Sequence, residues 1–261
     1  MPVFQPKISI ITVTFNAENQ LEKTIQSIIN QTYQNIEFII IDGKSRDHTI
    51  DIIKRYNSYL AKWISEPDQG LYDAMNKGIS LSTGEYLWFI NAGDEIFEID
   101  TLEKMLKQFP DKDFYYGETM LIDPMGKEIG IRSEMTSQKL PEKLTWQKMK
   151  SGMVVNHQSI IVRKGISPIY DLRFRYSADI DWTIKCLKQA QTIQNTGMII
   201  ARFMSNPVLG KFHAGGESKK HLYISLKERF RLSLDHFGFF PTILNHFMIL
   251  LKAFFFVLKR R

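Results

Sequence analysis

Apolar, β-branched runs alternate with stretches of helical periodicity across roughly the first hundred residues, and this alternation constrains the fold more than any other feature. Ile8–Thr14, Asn35–Ile41, Ala61–Ser65 and Glu85–Ile90 are short runs with the composition of strands. Between them, Ala17–Gln31 places Leu21, Ile25, Ile28 and Ile29 at helical spacing. Asp47–Tyr59 and Gly70–Ser82 read as two further helices. Strands separated by helices of this length build βαβ units around a largely parallel sheet.

The middle of the chain is less regular. Strands are expected at Asp113–Gly117 and Glu118–Ile131, with a hairpin around Asp123-Pro124-Met125-Gly126. Trp146–Gly152 reads as a short helix, His157–Val162 as a strand, Ala178–Ala190 as a helix and Thr192–Phe203 as a strand. Ser205–Lys220 is a loop with His213, Gly215 and Gly216. It is followed by helices over Ser218–Phe237 and from Pro241 onward.

Charge is unevenly placed. Of 34 Lys/Arg and 28 Asp/Glu, residues 201–261 carry 11 and 3, which leaves 23 and 25 in the first 200. The basic tail is interleaved with Phe254-Phe255-Phe256 and closes on Lys259-Arg260-Arg261, a pattern suited to an anionic membrane surface. Its apolar run falls short of the roughly 20 residues a spanning helix needs, so a helix lying in the interface is expected, or one packed on protein. The body has no basic stripe, which argues against nucleic acid as a partner. A single cysteine, Cys186, excludes an internal disulfide framework and a multi-cysteine zinc site. Only Lys7 precedes the first apolar run, and no cleavage-site pattern follows it. The expected location is therefore cytoplasmic, peripheral on the inner face of the cell membrane.

In an open α/β sheet, ligands bind at the carboxyl ends of the strands. Three such ends here are polar: Thr14-Phe15-Asn16 with Glu18, Asp42-Gly43-Lys44-Ser45, and Asn91-Ala92-Gly93-Asp94-Glu95. Three clusters at equivalent ends are expected to converge on one pocket.

Those segments, with Ile10-Ile11-Thr12-Val13 leading into the first and Arg46-Asp47-His48-Thr49 extending the second, resemble the signatures of family 2 glycosyltransferases. Between them, Ser65 to Gly78 (SEPDQGLYDAMNKG) resembles a branch that builds bacterial surface polysaccharides, including O-antigens. The resemblance implies a GT-A fold: a Rossmann-like, mixed but mainly parallel α/β sheet flanked by helices, here with C-terminal amphipathic helices. It implies one catalytic domain over residues 1–216, divided into a nucleotide-sugar-binding half (1–96) and an acceptor-binding half (97–216). Residues 217–261 are then a basic helical segment for membrane association. The implied donor is a nucleotide sugar, usually a UDP-sugar, and the implied acceptor a lipid-linked saccharide.

Site residues carry over by position. Asp42 matches the residue that meets the nucleotide base, and a carboxylate suits the imide N–H of uracil. An Asp before Gly is also an ordinary turn former. Thr14 and Asn16 line the same pocket, with Glu18 beside them. Asp68 is placed near the donor sugar and phosphates, whereas Asp73 and Asn76 fall early in a helix, where an acid also serves capping. Asp94 matches the last carboxylate of a metal-binding cluster, with His213 a second possible ligand for Mg²⁺ or Mn²⁺ and Asn91 on the donor side. Asn91 and Gly93 stand where that cluster often has acids. Lys211 could balance the diphosphate charge. Ser177-Ala178-Asp179-Ile180-Asp181-Trp182 resembles the segment that supplies the base of an inverting transfer, which assigns that role to Asp179. Asp181 would point away from it by roughly 200° on a helix. His157, Trp146 and Trp182 are further residues that line a cavity or belong to the core. The alternative function is a catalytically silent nucleotide-sugar-binding or assembly module, which Asn91 and Ala178 keep open. A dinucleotide-dependent oxidoreductase lacks support, because no Gly-rich turn follows the first strand.

Overall fold

The computed structural model describes residues 4–136, 138–205, 221–244 and 247. Expectations for Lys211, His213, the remainder of the 205–220 loop and the tail beyond residue 247 lie outside the described residues.

The first four strands are β1 (Ile8–Thr14), β2 (Ile36–Asp42), β3 (Lys62–Ser65) and β4 (Tyr86–Phe89), all parallel, in the order β3-β2-β1-β4. Their connections are helices α1 (Leu21–Ile29), α2 (Thr49–Arg55) and α3 (Leu71–Leu81). The chain then adds β5 (Glu95–Ile96), α4 (Thr101–Gln108), the long strand β6 (Phe114–Ile122), β7 (Glu128–Ile131) and a one-turn α5 (Arg132–Met135). It continues with β8 (Ile160–Arg163), α6 (Ala178–Gln189), β9 (Ile193–Met204) and α7 (Leu222–Phe237). The sheet runs β3-β2-β1-β4-β8-β6-β9-β5, with β7 hairpinned onto β6. β8 is antiparallel to both β4 and β6, but the longest ladders, β1–β2 and β6–β9, are parallel.

Side-chain alternation sorts the core onto two faces. Ile8 and Ile10 of β1, with Phe38 and Ile40 of β2, pack against α1, α2 and α4 through Leu21, Ile25, Ile53, Leu102 and Leu106. Ile11, Val13, Ile39 and Ile41 face α3 and α6 through Met75, Ile79, Trp182 and Ile184. A sheet covered on both faces explains why these strands read as near-continuous apolar runs. α3 lies so close to β1 that a Cβ on Gly78 would stand 2.4 Å from Ile11 Cγ2.

Several boundaries differ from expectation for local reasons. The helix expected from Ala17 begins at Leu21, because Ala17 donates its N–H to Thr49 Oγ1 and its carbonyl closes a turn onto Gln20 and Leu21. The helix expected from Asp47 begins at Thr49, because Asp47 accepts the Thr49 N–H from outside it. Residues His157–Ser159 form a 3₁₀ turn, and the strand begins at Ile160. The two expected strands across 113–131 are one unbroken strand and its hairpin partner, with Asp123 Oδ1 accepting the N–H groups of Met125 and Lys127 at the turn. Helix α4 and strand β5 had no counterpart in the sequence reading.

Candidate active site

Parallel strands deliver their last residues to one edge of the sheet. Thr14 stands opposite Asp42, and Asp42 opposite Ser65. The Asp42 side chain is fully buried. It accepts hydrogen bonds from Ser45 N–H (2.9 Å), Ser45 Oγ (2.5 Å) and Ser65 Oγ (2.6 Å). Two of these fall on Oδ2 and one on Oδ1, so Oδ1 keeps one acceptor position unclaimed among the described residues. Thr14 Oγ1 is buried with no hydrogen-bond partner among them.

The loops after β1 and β2 are laced into one ledge. Asn16 donates its N–H to Ser45 Oγ and accepts the Arg46 N–H on Oδ1, at 2.8 and 2.9 Å. Glu18 donates its N–H to Asp47 Oδ2 and accepts the His48 N–H on Oε2, at 3.1 and 2.9 Å. The side chains of Asn16 and Glu18 therefore brace the loops. Asp68 closes over this ledge: a Cβ on Gly43 would come within 2.5 Å of Asp68 Oδ2, so a side chain at position 43 would push the Asp68 carboxylate away. Asp68 Oδ1 accepts the Gly70 N–H at 2.8 Å, and Asp73 accepts the Gln69 N–H at 3.0 Å, which ties the start of α3 together.

The segment after β4 runs beside β1, with Ala92 N–H donating to the Val13 carbonyl. Asn91 to Asp94 is a tight turn with Gly93 at φ 99°. Thr24 of α1 pins it, accepting the Gly93 N–H and donating to the Asp94 carbonyl. The Asp94 carboxylate is buried and accepts from Gln158 Nε2 at 2.8 Å. Burial pushes its pKa up to about 7, against the pull of that hydrogen bond. Among the described residues, no group of three His, Cys, Asp or Glu side chains could enclose a metal. Asn91 Oδ1, however, is a buried oxygen without a hydrogen-bond partner among the described residues. One carboxylate and one carbonyl oxygen fit a Mg²⁺- or Mn²⁺-like ion that completes its shell with substrate phosphates rather than a protein cage.

Asp179, a half-buried residue, opens α6, and its Oδ1 accepts the Tyr72 hydroxyl at 3.1 Å. Burial raises its pKa, while Tyr72 and the charge of Arg229 pull it back. Asp181 faces elsewhere: it meets His236 Nε2 and Lys185 Nζ, each at 2.7 Å, and so fixes α7 onto α6. Behind Asp179 lies an aromatic stack. Tyr72 stacks on Tyr170 and Tyr170 on Trp182, with centroids 5.4 and 5.2 Å apart. His157 Nε2 lies 2.6 Å from the Tyr170 hydroxyl, and burial lowers its pKa to about 4, so the ring is neutral. Trp182 is core, and Trp146 stacks on Phe237 of α7.

Thr14, Asn16, Asp42 and Asp68 thus belong to one contact network, with Glu18 bracing it. Asn91 and Asp94 join it through β1, and Asp179 through Tyr72. A surface cleft of about 390 Å³ is lined by residues such as Lys23, Glu95, Met125 and Arg202, and from the three strand-end clusters it takes in Glu95 but not Thr14, Asn16, Asp42, Asn91 or Asp94. Tyr72, Ser65 and Gln158 were not singled out from sequence. Tyr72 and Ser65 sit inside a segment that drew notice for its acids, and nothing in the sequence marked Gln158.

This is the GT-A fold. Residues 9–166 match glycosyl transferase family 2, and the chain belongs to that family; it is a glycosyltransferase. The PGL/p-HBAD biosynthesis glycosyltransferase of Mycobacterium bovis (strain BCG) is 29% identical over 258 residues, covering 94% of this chain and 95% of that one. S. aureus TarS (1-349) in complex with UDP-GlcNAc superposes with a TM-score of 0.63 at 18% identity, covering 87% of this chain and 66% of that one. The mannosyltransferase PcManGT from Pyrobaculum calidifontis, in complex with GDP-Man and Mn²⁺, gives 0.58 at 15% identity, covering 97% and 82%.

Proposed function

We propose that the chain is an inverting glycosyltransferase that moves a sugar from a UDP-sugar to a lipid-linked glycan during bacterial surface polysaccharide assembly, such as O-antigen, capsule or exopolysaccharide. The observation that carries this reading is the hydrogen bond by which Tyr72 links the Asp179 carboxylate to the loop that brings Asp68 against the end of β2. Residues 1–96 hold the donor and residues 97–216 the acceptor. Uracil meets the unclaimed Oδ1 position of Asp42, with Thr14 Oγ1 beside it, while Asn16 and Glu18 keep the ledge in shape. Asp68 lies toward the donor sugar.

Asp179 takes the proton from the acceptor hydroxyl as that oxygen attacks the anomeric carbon, and the nucleoside diphosphate departs from the opposite face. A base raised toward the working pH transfers protons more effectively than an ordinary carboxylate. A divalent cation held by Asp94 and Asn91 Oδ1 would neutralise charge on the departing diphosphate. By the same resemblance, Lys211 and His213 would add to this. The UDP-GlcNAc bound to TarS, the Mn²⁺ bound to PcManGT and the PGL/p-HBAD biosynthesis named for the mycobacterial relative support this reading.

Residues 217–261 would attach the enzyme peripherally to the inner membrane face. Among the described residues no helix is long and apolar enough to cross a membrane. Tyr223 and Phe240 are nonetheless more than four-fifths exposed, in company with Leu222, Leu226, Phe239 and Leu244.

The test is UDP release from UDP-sugars in the presence of Mn²⁺ and a lipid-linked acceptor. The wild type turns over, and Asp179→Asn lowers turnover by about 10²- to 10⁴-fold while still binding UDP. Equal turnover by both proteins contradicts the assignment.

A further inference from the structure

Tyr72 connects two parts of the site that the sequence keeps 107 residues apart. It occupies the first turn of α3, two residues after Gly70, whose N–H holds Asp68. Its ring is 7% exposed and stacks on Tyr170, so the side chain has one orientation. Its hydroxyl has one partner among the described residues, Asp179 Oδ1. Resting on the reading of Asp179 as base, we propose that Tyr72 is a positioning residue: it holds the Asp179 carboxylate in the orientation that receives the acceptor proton, and through α3 it ties that orientation to the donor loop around Asp68.

The chemistry of the contact is one-directional. Burial first, and then the charge of Asp179, raise the Tyr72 phenol well above its ordinary range, so it remains a donor at any working pH. A donor to a carboxylate favours the ionised form, which is the form a base needs. Among the described residues, the other groups that face Asp179 are Arg229 on α7, which also favours ionisation, and Tyr170, while Glu228 adds negative charge near Tyr72. Tyr72 is the member of this set that makes a hydrogen bond to the carboxylate.

Tyr72→Phe keeps the ring and its stacking and removes only the hydroxyl. Full-length enzyme carrying this change is expected to bind UDP as the wild type does, to lose roughly tenfold in kcat with little change in donor KM, and to have the acidic limb of its kcat–pH profile moved about one unit upward. A fluorinated tyrosine at the same position has a more acidic phenol, donates more strongly and moves the limb downward. In an Asp179→Asn background, Tyr72→Phe should cost nothing further. A limb unmoved by both replacements, with Asp179→Asn still inactive, overturns the role of Tyr72 and leaves the base assignment standing. Full activity in Asp179→Asn overturns the base assignment itself, and the role of Tyr72 with it.

Discussion

His157 shows how far one residue's chemistry is decided by its surroundings. Its ring lies between Phe89, Tyr170 and Trp182 and meets no carboxylate among the described residues, and burial lowers its pKa. The unfolded imidazole titrates near its ordinary 6.5 and the folded one near 4. Between those values the unfolded chain binds more protons, so stability rises with pH there and is lost as pH falls from 6.5 toward 4. The full difference is about 3 kcal/mol. Unfolding followed from pH 7 to 4.5 should show this loss in the wild type and a shallower one in His157→Gln; parallel curves would contradict it. From the sequence, His157 could equally line a cavity or sit in the core, because a ring's neighbours across 13 or more residues leave no local pattern. The Asp42 and Asp94 turns were legible because strand-end carboxylates before or after Gly stand out. Their partners Ser65 and Gln158 did not, since a hydroxyl or amide becomes informative only once tertiary packing aims it.

Elements were read best where one periodicity ran uninterrupted. β1, β2, β4, α3 and α6 lie within a residue or two of expectation, because burial on both faces of the sheet forces apolar runs and the helices need one clean stripe. Helix α4 was missed although Leu102, Met105 and Leu106 have helical spacing: it is short, and most of its remaining positions are polar or charged. Strand β5 is two residues long and exists only because β9 passes beside it. The docking of α7 on α6 was equally invisible, since it rests on Asp181 meeting His236 across 55 residues. Asp181 is 3% exposed, so removing its charge strands His236 and Lys185 without their partner. Asp181→Ala should destabilise the protein by about 3 kcal/mol in urea unfolding and open α7 to proteolysis. A change below a few tenths of a kcal/mol would show that α7 is held without Asp181, by its apolar contacts and by Glu228, which accepts the Arg175 and Tyr176 N–H groups.

At the scale of the molecule, the charge division drawn from sequence has a counterpart in surface chemistry. Exposed large apolar side chains concentrate in residues 222–247, the region where Lys/Arg also outnumber Asp/Glu. Peripheral attachment predicts that the full chain sediments with vesicles containing anionic lipid, sediments less as salt rises, and is released by removal of residues 239–261. Binding unaffected by that truncation would place attachment elsewhere. Catalysis and attachment would then occupy separate parts of one chain: strand ends and α3 for the donor, α7 and the tail for the surface on which the acceptor is anchored. The central claim is that Asp42, Asp94 and Asp179 surround a single donor, and a crystal structure of the enzyme soaked with UDP-sugar and Mn²⁺ tests it most directly. The account predicts uracil against Asp42 and Thr14, diphosphate beside Asp94 and the anomeric carbon facing Asp179. A donor seated in the cleft of Lys23, Glu95 and Arg202, or one bound with Asp179 on the far side of α3, would contradict it.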